Sequence, residues 1–196
     1  MSNKRAYSVL VAAALLFIFF VQQGYKATFA QHRLGQAAQA VTFDPSIKVE
    51  YGKPIKVVHV VDGDTIQLIN GQYVRYIGID TPEEFDPRKA VQCYAKEAAE
   101  RNRGLVEGKN IVFYKDVSAH DKYARWLGFI YLEDGTFVNK KLIEEGYAFE
   151  YRYKPDISKD AEFKEAEQRA RDAKLGLWSQ CEVYTLSGGR KQTNDL

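Results

Sequence analysis

The stretch that decides the fold is residues 55–79, IKVVHVVDGDTIQLINGQYVRYIGI. It contains short runs that are rich in β-branched residues or alternate apolar and polar side chains, and both patterns are typical of β-strands. Asp62-Gly63-Asp64 is a tight turn, and Asn70-Gly71 is the strongest short signal for a β-hairpin. The sequence therefore predicts a meander of three strands, over residues 55–61, 65–69 and 72–79.

The chain after the meander continues with both strand and helix patterns. Apolar side chains recur at helical spacing in three segments, and each of these segments ends at a glycine. Two more strands are predicted, over residues 110–114 and 126–132. Three helices are predicted, over residues 94–106, over residues 137–145, and from a cap at Ser158 to before Gly176. Five short strands with a helix after the third describe an α+β protein built on a five-stranded OB-fold β-barrel.

Length and composition favour one folded domain. The chain has 196 residues with 13 Tyr, 11 Phe and 2 Trp, so a single domain can bury a substantial core. The formal net charge is +2, but residues 1–30 carry three basic and no acidic side chains, which leaves −1 on the rest. Bulk charge therefore gives no argument for nucleic-acid binding, and affinity for phosphate has to come from a local cluster or a metal.

The N-terminal segment has the features of an export signal. Lys4 and Arg5 precede an apolar run from Ala6 to Val21, which is short beside the about 20 residues that span a bilayer. Residues 28–30, Thr-Phe-Ala, offer a cleavage site. We expect residues 1–30 to be a hydrophobic signal peptide or, if uncleaved, a membrane anchor helix. The folded part is then extracytoplasmic, either secreted or anchored to the membrane.

The rest of the chain divides into three parts. Residues 31–51 begin with many Ala and Gln and are broken by Asp44-Pro45, so we predict a linker. Residues 52–184 hold every predicted strand and helix and form the folded domain. Residues 185–196 are polar and contain Gly188-Gly189, and we predict a disordered tail there.

Four short segments carry side chains suited to chemistry at a phosphate, and each has an ordinary structural interpretation. Asp62-Gly63-Asp64 is usually just a hairpin turn. Arg75, among apolar neighbours on a strand face, needs an anionic partner unless it lies exposed at the rim. Residues 80–84, DTPEE, could be a capped loop before the first helix, and residues 121–125, DKYAR, could be a solvated hairpin.

Considered together, these segments point to a metal-assisted phosphate site. Asp62, Asp64 and Asp80 lie at junctions between loops and strands, and the strand order can bring these junctions to one end of the barrel. Clustered carboxylates repel one another without a cation, and a hard cation such as Ca²⁺ prefers several oxygen ligands. Arg75 and Arg125 can then clamp a phosphate that the cation also contacts.

The same segments resemble the staphylococcal nuclease (thermonuclease) family over residues 53–178, with matching order and spacing. The matching segments are residues 61–65 (VDGDT), Arg75, residues 79–83 (IDTPE), residues 121–125 (DKYAR), residues 151–155 (YRYKP) and residues 175–178 (LGLW). The chain is thereby identified as a secreted or membrane-anchored member of this family, and its folded part is expected to have the family's barrel.

The resemblance implies a role for each acidic residue of the site. Asp64, Asp80 and the backbone carbonyl of Thr81 would be ligands of Ca²⁺, the expected cofactor. Asp62 would lie in the outer shell of the cation and contact it through water. Glu83 would orient or deprotonate the water that attacks the phosphate.

The basic and aromatic residues would bind the substrate. Arg75 and Arg125 would clamp the phosphate that is cut and stabilise the charge added in the transition state. The remaining contacts would come from Lys122 and Tyr123 at the neighbouring phosphate and from Tyr151 and Tyr153 in the base pocket. The resemblance thus implies a Ca²⁺-dependent nuclease that hydrolyses DNA and RNA and leaves 3′-phosphate and 5′-hydroxyl ends. We also expect a monomer.

Other function classes explain less of the sequence. A non-catalytic OB-fold module that binds single-stranded nucleic acid or a protein would be expected to have lost the acids or the arginines, and this chain keeps both sets. A membrane-tethered spacer would leave that set without a purpose. A structural zinc site is disfavoured because neither Cys93 nor Cys181 lies in a zinc-ligand pattern.

Some positions depart from the family pattern. Ala124 stands where the family often has Gly, and it would be strained if that position needs a positive φ. Arg152 adds a charge between the two tyrosines, and the loop after Glu83 is rewritten and carries Cys93. Cys93 precedes the first predicted helix, and Cys181 follows the last one. An oxidising environment can join the two in a disulfide. The alternative is that both are buried thiols.

Overall fold

A computed structural model describes residues 42–85 and 90–196 of the chain. The predicted signal or anchor, residues 1–30, lies outside the described residues, as does most of the predicted linker. In the two described ranges, no helix combines the length and the apolar character that crossing a membrane requires. The predicted anchor helix and extracytoplasmic location therefore stay predictions.

Five strands close into a barrel, in the order β1-β2-β3-β6-β5. The strands of the described residues are β1 (Ile55–Val60), β2 (Thr65–Leu68), β3 (Tyr73–Tyr76), β4 (Ile79–Asp80), β5 (Asn110–Tyr114), β6 (Trp126–Leu132), β7 (Phe149–Glu150), β8 (Val183–Thr185) and β9 (Lys191–Thr193). Neighbours in the barrel are antiparallel except β3 and β6, which run parallel. The predicted OB-like core of five strands is confirmed, because turns at both predicted positions join β1, β2 and β3 in a meander.

The predicted third strand, residues 72–79, is in fact two strands. β3 ends at Tyr76, and Gly78 has a φ of 76°, a backbone conformation that interrupts a strand and favours glycine. The ring of Phe163 packs where a side chain of residue 78 would lie. After this break, β4 leaves the barrel and pairs with β7. The break therefore directs Asp80 away from the barrel ladder and into the site described below.

Four helices lie in the described residues, one more than predicted, because a short turn precedes Cys181. They are α1 (Ala95–Val106), α2 (Val138–Glu144), α3 (Asp160–Asp172) and α4 (Leu177–Gln180). Helix α1 follows the meander as predicted. The cap predicted at Ser158 is wrong: Lys159 takes the N-cap position, and the backbone N–H of Ser158 donates instead to Asp116.

The apolar core fills the barrel and the space between its end and the helices. It includes Ile66, Leu68 and Phe113 from the strands, and helix α2 adds Leu142, all with no exposed surface. Buried Asn139 of α2 binds three backbone groups of the barrel, accepting from Ile130 and donating to Ile77 and Gly128. This polar anchor fixes α2 against the barrel because each of these buried backbone groups gains a partner.

The C-terminal residues 185–196 were predicted to be disordered, and this prediction is wrong. β8 and β9 form an antiparallel hairpin, and Thr193 is fully buried. The hairpin is tied to the start of α1, because the hydroxyl of Thr193 donates to the carbonyl of Cys93 at 2.8 Å and the N–H of Cys93 donates to that of Asn194 at 2.7 Å. A disulfide joins Cys93 to Cys181, immediately before the hairpin.

Candidate functional site

The acidic turn between β1 and β2 is held in a defined shape by its own polar groups and by α1. The N–H of Asp64 donates to Oδ1 of Asp62 at 3.0 Å, and Asn102 of α1 donates to the carbonyl of Asp62 at 3.1 Å. Gly63 is required by close approach: a Cβ there would lie 2.7 Å from the side chain of Thr81. The turn is therefore packed directly against the segment that follows β4.

Two carboxylates converge on one guanidinium at this end of the barrel. Arg75 of β3 forms an ion pair with Asp64 and a second one with Asp80, in which Nη2 lies 2.9 Å from Oδ1. Thr81 donates to Asp64 from its N–H at 2.9 Å and from its hydroxyl at 3.1 Å. The two carboxylate side chains are only 7% and 8% exposed, so these contacts compensate charges that water cannot reach.

Burial and neighbouring charges shift the titration of this cluster. Burial, reinforced by the carboxylate of Asp64, raises the pKa of Asp62 to about 7. Burial alone would lower the pKa of Arg75, but the nearby carboxylates of Asp64, Asp80 and Asp62 raise it overall, so Arg75 stays charged. The cluster thus combines permanent positive charge with carboxylates that repel one another.

Glu83 lies in the loop after β4 and its carboxylate reaches the same cavity. Its N–H donates to the side-chain amide oxygen of Gln92 at 2.8 Å, and its carbonyl accepts from the N–H of Gln92 at 2.9 Å. Its Oε1 accepts from the N–H of Phe85 at 3.1 Å. Two hydrogen bonds to buried Gln92 therefore fix the backbone of Glu83 beside the cavity.

Arg125 approaches the cluster from the loop between β5 and β6. Oδ2 of Asp121 accepts from its Nε at 2.7 Å, and Oδ1 accepts from its backbone N–H at 3.0 Å. Nη1 of Arg125 lies 3.5 Å from the hydroxyl of Thr65, which in turn donates to Asp64. Ala124 has a φ of 61°, so the strain expected at this position is present. The loop thereby aims the second guanidinium at the carboxylates of the barrel.

Two pairs of side chains flank the cluster, one of a lysine with a tyrosine and one of two tyrosines. Lys122 lies 5.0 Å from the ring centre of Tyr123, which is 68% exposed. Tyr151 and Tyr153, just after β7, stack with ring centres 6.2 Å apart. Exposed rings of this kind offer faces on which nucleic-acid bases of any sequence can stack.

All the site residues predicted from the sequence line one cavity of about 700 Å³. They are Asp62, Asp64, Arg75, Asp80, Thr81, Glu83, Lys122, Tyr123, Arg125, Tyr151 and Tyr153. Arg152 does not line it and pairs with Asp160 at 2.8 Å. The predicted convergence of acids and arginines at one barrel end is therefore a feature of the structure, although the role of each residue stays a prediction.

Two residues that contact the predicted site, Arg190 and Asp121, were not predicted from the sequence. Arg190 lines the cavity and forms a bidentate ion pair with Asp80, with Nε 2.6 Å from Oδ2 and Nη2 3.2 Å from Oδ1. It lies in the segment predicted to be disordered, so no sequence signal indicated it. Asp121 was part of a quoted segment without a role, and its spacing of four residues from Arg125 could have suggested the pair.

The oxygen donors suit a hard cation, but they do not form a large acidic cluster. Among residues 42–85 and 90–196, no group of three or more His, Cys, Asp or Glu side chains is arranged to hold a metal. Asp64 and Asp80 nevertheless converge on a single cationic group, and two carboxylates supplemented by a carbonyl and water are a donor set that Ca²⁺ accepts. The cavity therefore has guanidiniums and several carboxylates on its wall, which is a lining that suits an anion held beside a cation.

A family model described as "Staphylococcal nuclease homologue" matches residues 73–180 of the chain. The match includes Arg75, Asp80, Glu83 and Arg125. The turn that contains Asp62 and Asp64 precedes it.

Curated relatives extend the similarity. The chain is 41% identical over 133 residues to the SPbeta prophage-derived endonuclease YokF of Bacillus subtilis (strain 168) and 39% identical over 133 residues to endonuclease YncB of the same organism. These alignments cover 65% of this chain, and 45% and 63% of the two relatives. It is 34% identical over 127 residues to a thermonuclease of Staphylococcus hyicus, covering 63% of this chain and 75% of the relative.

Proposed function

Because the chain belongs to the staphylococcal nuclease homologue family, we propose that it is a Ca²⁺-dependent nuclease that hydrolyses DNA and RNA to 3′-phosphate products. The observation that carries the proposal is a continuous row of contacts, Arg125–Thr65–Asp64–Arg75–Asp80, on the wall of one cavity. A row that contains two guanidiniums and two carboxylates, with one hydroxyl between Arg125 and Asp64, suits an anionic substrate held beside a cation. Relatives named endonuclease and thermonuclease support the same activity.

The cation would be held by the oxygens nearest Arg75. Asp64, Asp80 and the carbonyl of Thr81 would be its ligands, and Asp62 would contact it through water. When bound, Ca²⁺ would polarise a phosphoryl oxygen and offset the charge that develops there. The proposal is supported by the position of Arg75, whose positive charge already marks the place where both carboxylates favour a cation.

The protein's own side chains would bind the phosphate and activate the attacking water. Arg75 and Arg125 would bind the phosphate from two sides and stabilise its added charge, which planar guanidiniums do with paired hydrogen bonds. Glu83 would align the attacking water and accept its proton. Its backbone anchoring to Gln92 supports this role, because a base has to be held within hydrogen-bond reach of the water.

The remaining part of the strand would be bound without regard to sequence. Lys122 and Tyr123 would contact the neighbouring phosphate, and the stacked pair Tyr151 and Tyr153 would receive a base. Because these contacts address phosphates and ring faces, they support activity on both DNA and RNA.

The proposed location of the enzyme is outside the cytoplasm, as a secreted or membrane-anchored monomer. Lys4 and Arg5 followed by an apolar run support export, and the disulfide between Cys93 and Cys181 suits an oxidising compartment.

A digestion assay tests the proposal. The protein is incubated with single-stranded DNA and with RNA in Ca²⁺ or in excess chelator, and the ends of the products are identified by mass. We expect cleavage in Ca²⁺ alone, with 3′-phosphate ends. Glu83→Gln and Arg125→Ala should each lower kcat/KM by about 10²–10³, the loss typical for a positioned base or a charge-stabilising donor.

Glu84→Gln is the matched control, because Glu84 neighbours Glu83 but is not among the residues that line the cavity. It should leave the rate unchanged. Cleavage that continues undiminished in chelator would reject the role of Ca²⁺. If the wild-type protein binds DNA but never cuts it, the chain is a binding module on the same barrel and the proposal fails.

A further inference from the structure

The C-terminal hairpin brings a further positively charged side chain, that of Arg190, to the wall of the cavity. Its strands β8 and β9 are joined by residues 186–190, and the hairpin is fastened at several points away from the cavity. The N–H of Leu196 donates to the carbonyl of Val91 at 2.9 Å. Nζ of Lys191 lies 2.9 Å from a carboxylate oxygen of Glu167 and 3.5 Å from one of Glu150.

Arg190 occupies the end of the hairpin turn and reaches Asp80. Its guanidinium and that of Arg75 meet at the same oxygen, Oδ1 of Asp80, at 3.2 Å and 2.9 Å. A guanidinium stays protonated in proteins, so Arg190 is charged. The guanidiniums of Arg75 and Arg190 thus bind the same carboxylate oxygen from two sides. A phosphate has two free oxygens and can accept hydrogen bonds from both guanidiniums in the same way.

Several contacts other than the ion pair between Arg190 and Asp80 hold the hairpin in place. Hydrogen bonds from Thr193 and to Asn194, the ion pairs of Lys191 and the disulfide already fasten it. The side chain of Arg190 is 43% exposed and faces the cavity, whereas that of Arg75 is 16% exposed. The guanidinium of Arg190 is therefore accessible to a ligand, and Asp80 keeps its ion pair with Arg75 when Arg190 changes partner.

We propose that Arg190 is a further substrate-binding residue, a third guanidinium that contacts a phosphate of the bound nucleic acid beside Arg75. The inference rests on the proposed function, because it assumes that the cavity receives a phosphodiester chain. Arg190 exchanges one anionic partner, Asp80, for another, the phosphate. Its role is to hold the strand, so its loss affects substrate binding more than the chemical step.

Binding without cleavage tests this role directly. A fluorescently labelled single-stranded oligonucleotide is titrated with the full chain in excess chelator, and affinity is measured by anisotropy at several salt concentrations. Arg190→Gln should weaken binding about five- to tenfold. The slope of log K against log salt should fall by about 0.7, the value for one phosphate contact on a single strand. Arg190→Lys should keep the slope but recover only part of the affinity.

Two control variants separate binding from structure. Arg169→Gln removes an equal charge from α3, where Arg169 pairs with Glu144 outside the cavity, and should change neither affinity nor slope. Lys191→Gln loosens the hairpin without altering a cavity-lining residue. If Lys191→Gln reproduces the effect of Arg190→Gln, or if Arg190→Gln binds with wild-type affinity and slope, the inference is overturned.

Turnover distinguishes this inference from the proposed function. In Ca²⁺, Arg190→Gln should raise KM about five- to tenfold while changing kcat less than twofold. If wild-type protein neither binds nor cuts nucleic acid, the proposed function fails. If it does both and Arg190→Gln behaves as wild type, only the role of Arg190 fails.

Discussion

The two sides of the cavity hold their arginines in opposite ways. On the barrel side, Arg75 is 16% exposed and lies between two carboxylates that are themselves buried. On the loop side, Arg125 is 29% exposed and is held by Asp121, four residues before it in the same loop. Arg75 is held by carboxylates that the tertiary structure brings to it, and Arg125 is held by a carboxylate of its own loop.

This difference decides how function and stability are linked. Removing Arg75 would leave the charges of Asp64 and Asp80 buried without full compensation. The free energy of unfolding of the whole domain would therefore fall. Removing Arg125 would free Asp121, which the loop can expose to water. The barrel side is therefore expected to couple activity to stability, while the loop side should separate them.

The largest expected effect compares Arg75→Ala with Arg125→Ala. Both should lower kcat/KM by at least about 10², because each removes a donor to the phosphate. Arg75→Ala should also lower the free energy of unfolding by about 3–5 kcal/mol, the cost of breaking a buried ion pair. Arg125→Ala should cost no more than about 1 kcal/mol, as for partly exposed pairs. Denaturant unfolding and steady-state kinetics measure both quantities, and equal stability losses would remove the distinction between the two sides.

An intermediate effect is expected from Asp121→Asn. Oδ1 of Asp121 accepts from the N–H of Tyr123 at 2.8 Å and from that of Arg125 at 3.0 Å, and Oδ2 binds the guanidinium. The neutral amide keeps one acceptor and loses the ionic contact, so we expect a loss of about 1 kcal/mol at neutral pH. Because the guanidinium of Arg125 is no longer held by an ion pair, kcat/KM should fall several-fold. Glu84→Gln is the control and should leave kcat/KM unchanged.

The pH dependence of that loss has a defined sign. Burial works to raise the pKa of Asp121, but hydrogen bonds from Arg125 and Tyr123 outweigh it and lower the pKa below 3.8. A carboxylate with a lowered pKa stabilises the fold above its unfolded pKa, and the contribution disappears as pH falls through the folded value. The stability difference between wild type and Asp121→Asn should therefore be constant at neutral pH and shrink below about pH 4. A difference that grows on acidification would contradict this account.

The smallest effect tests the strain in the loop. Ala124 has a φ of 61°, where glycine has no steric penalty, so Ala124→Gly should stabilise the protein by about 0.5–1 kcal/mol in thermal unfolding. Lys174, at a φ of 51° after α3, is the matched site away from the cavity. Lys174→Gly should stabilise to a similar degree with unchanged activity, whereas Ala124→Gly should alter kcat/KM because it loosens the segment that carries Arg125. If Ala124→Gly and Lys174→Gly have the same activity, the backbone strain at Ala124 does not affect catalysis.

Much of the fold followed from local patterns. The strands of the meander and α1 lie within a few residues of their predicted positions, because alternation, turn residues and helical spacing are local properties. The break between β3 and β4 was missed because Gly78 looked like an ordinary strand residue, and its φ is set by packing against Phe163. The cap predicted at Ser158 was wrong because Asp116, distant in sequence, accepts the hydrogen bond of its backbone N–H.

By itself, the sequence determined the chemistry of the cavity: which residue types are present, their order along the chain, and the family that this order identifies. Only the tertiary structure decided that the C-terminal segment is ordered and that Arg190 meets Arg75 at Asp80. A polar segment with two glycines has no apolar periodicity to reveal it. Its order comes from partners such as Cys93, which is 100 residues away from Thr193 and which no local pattern could assign.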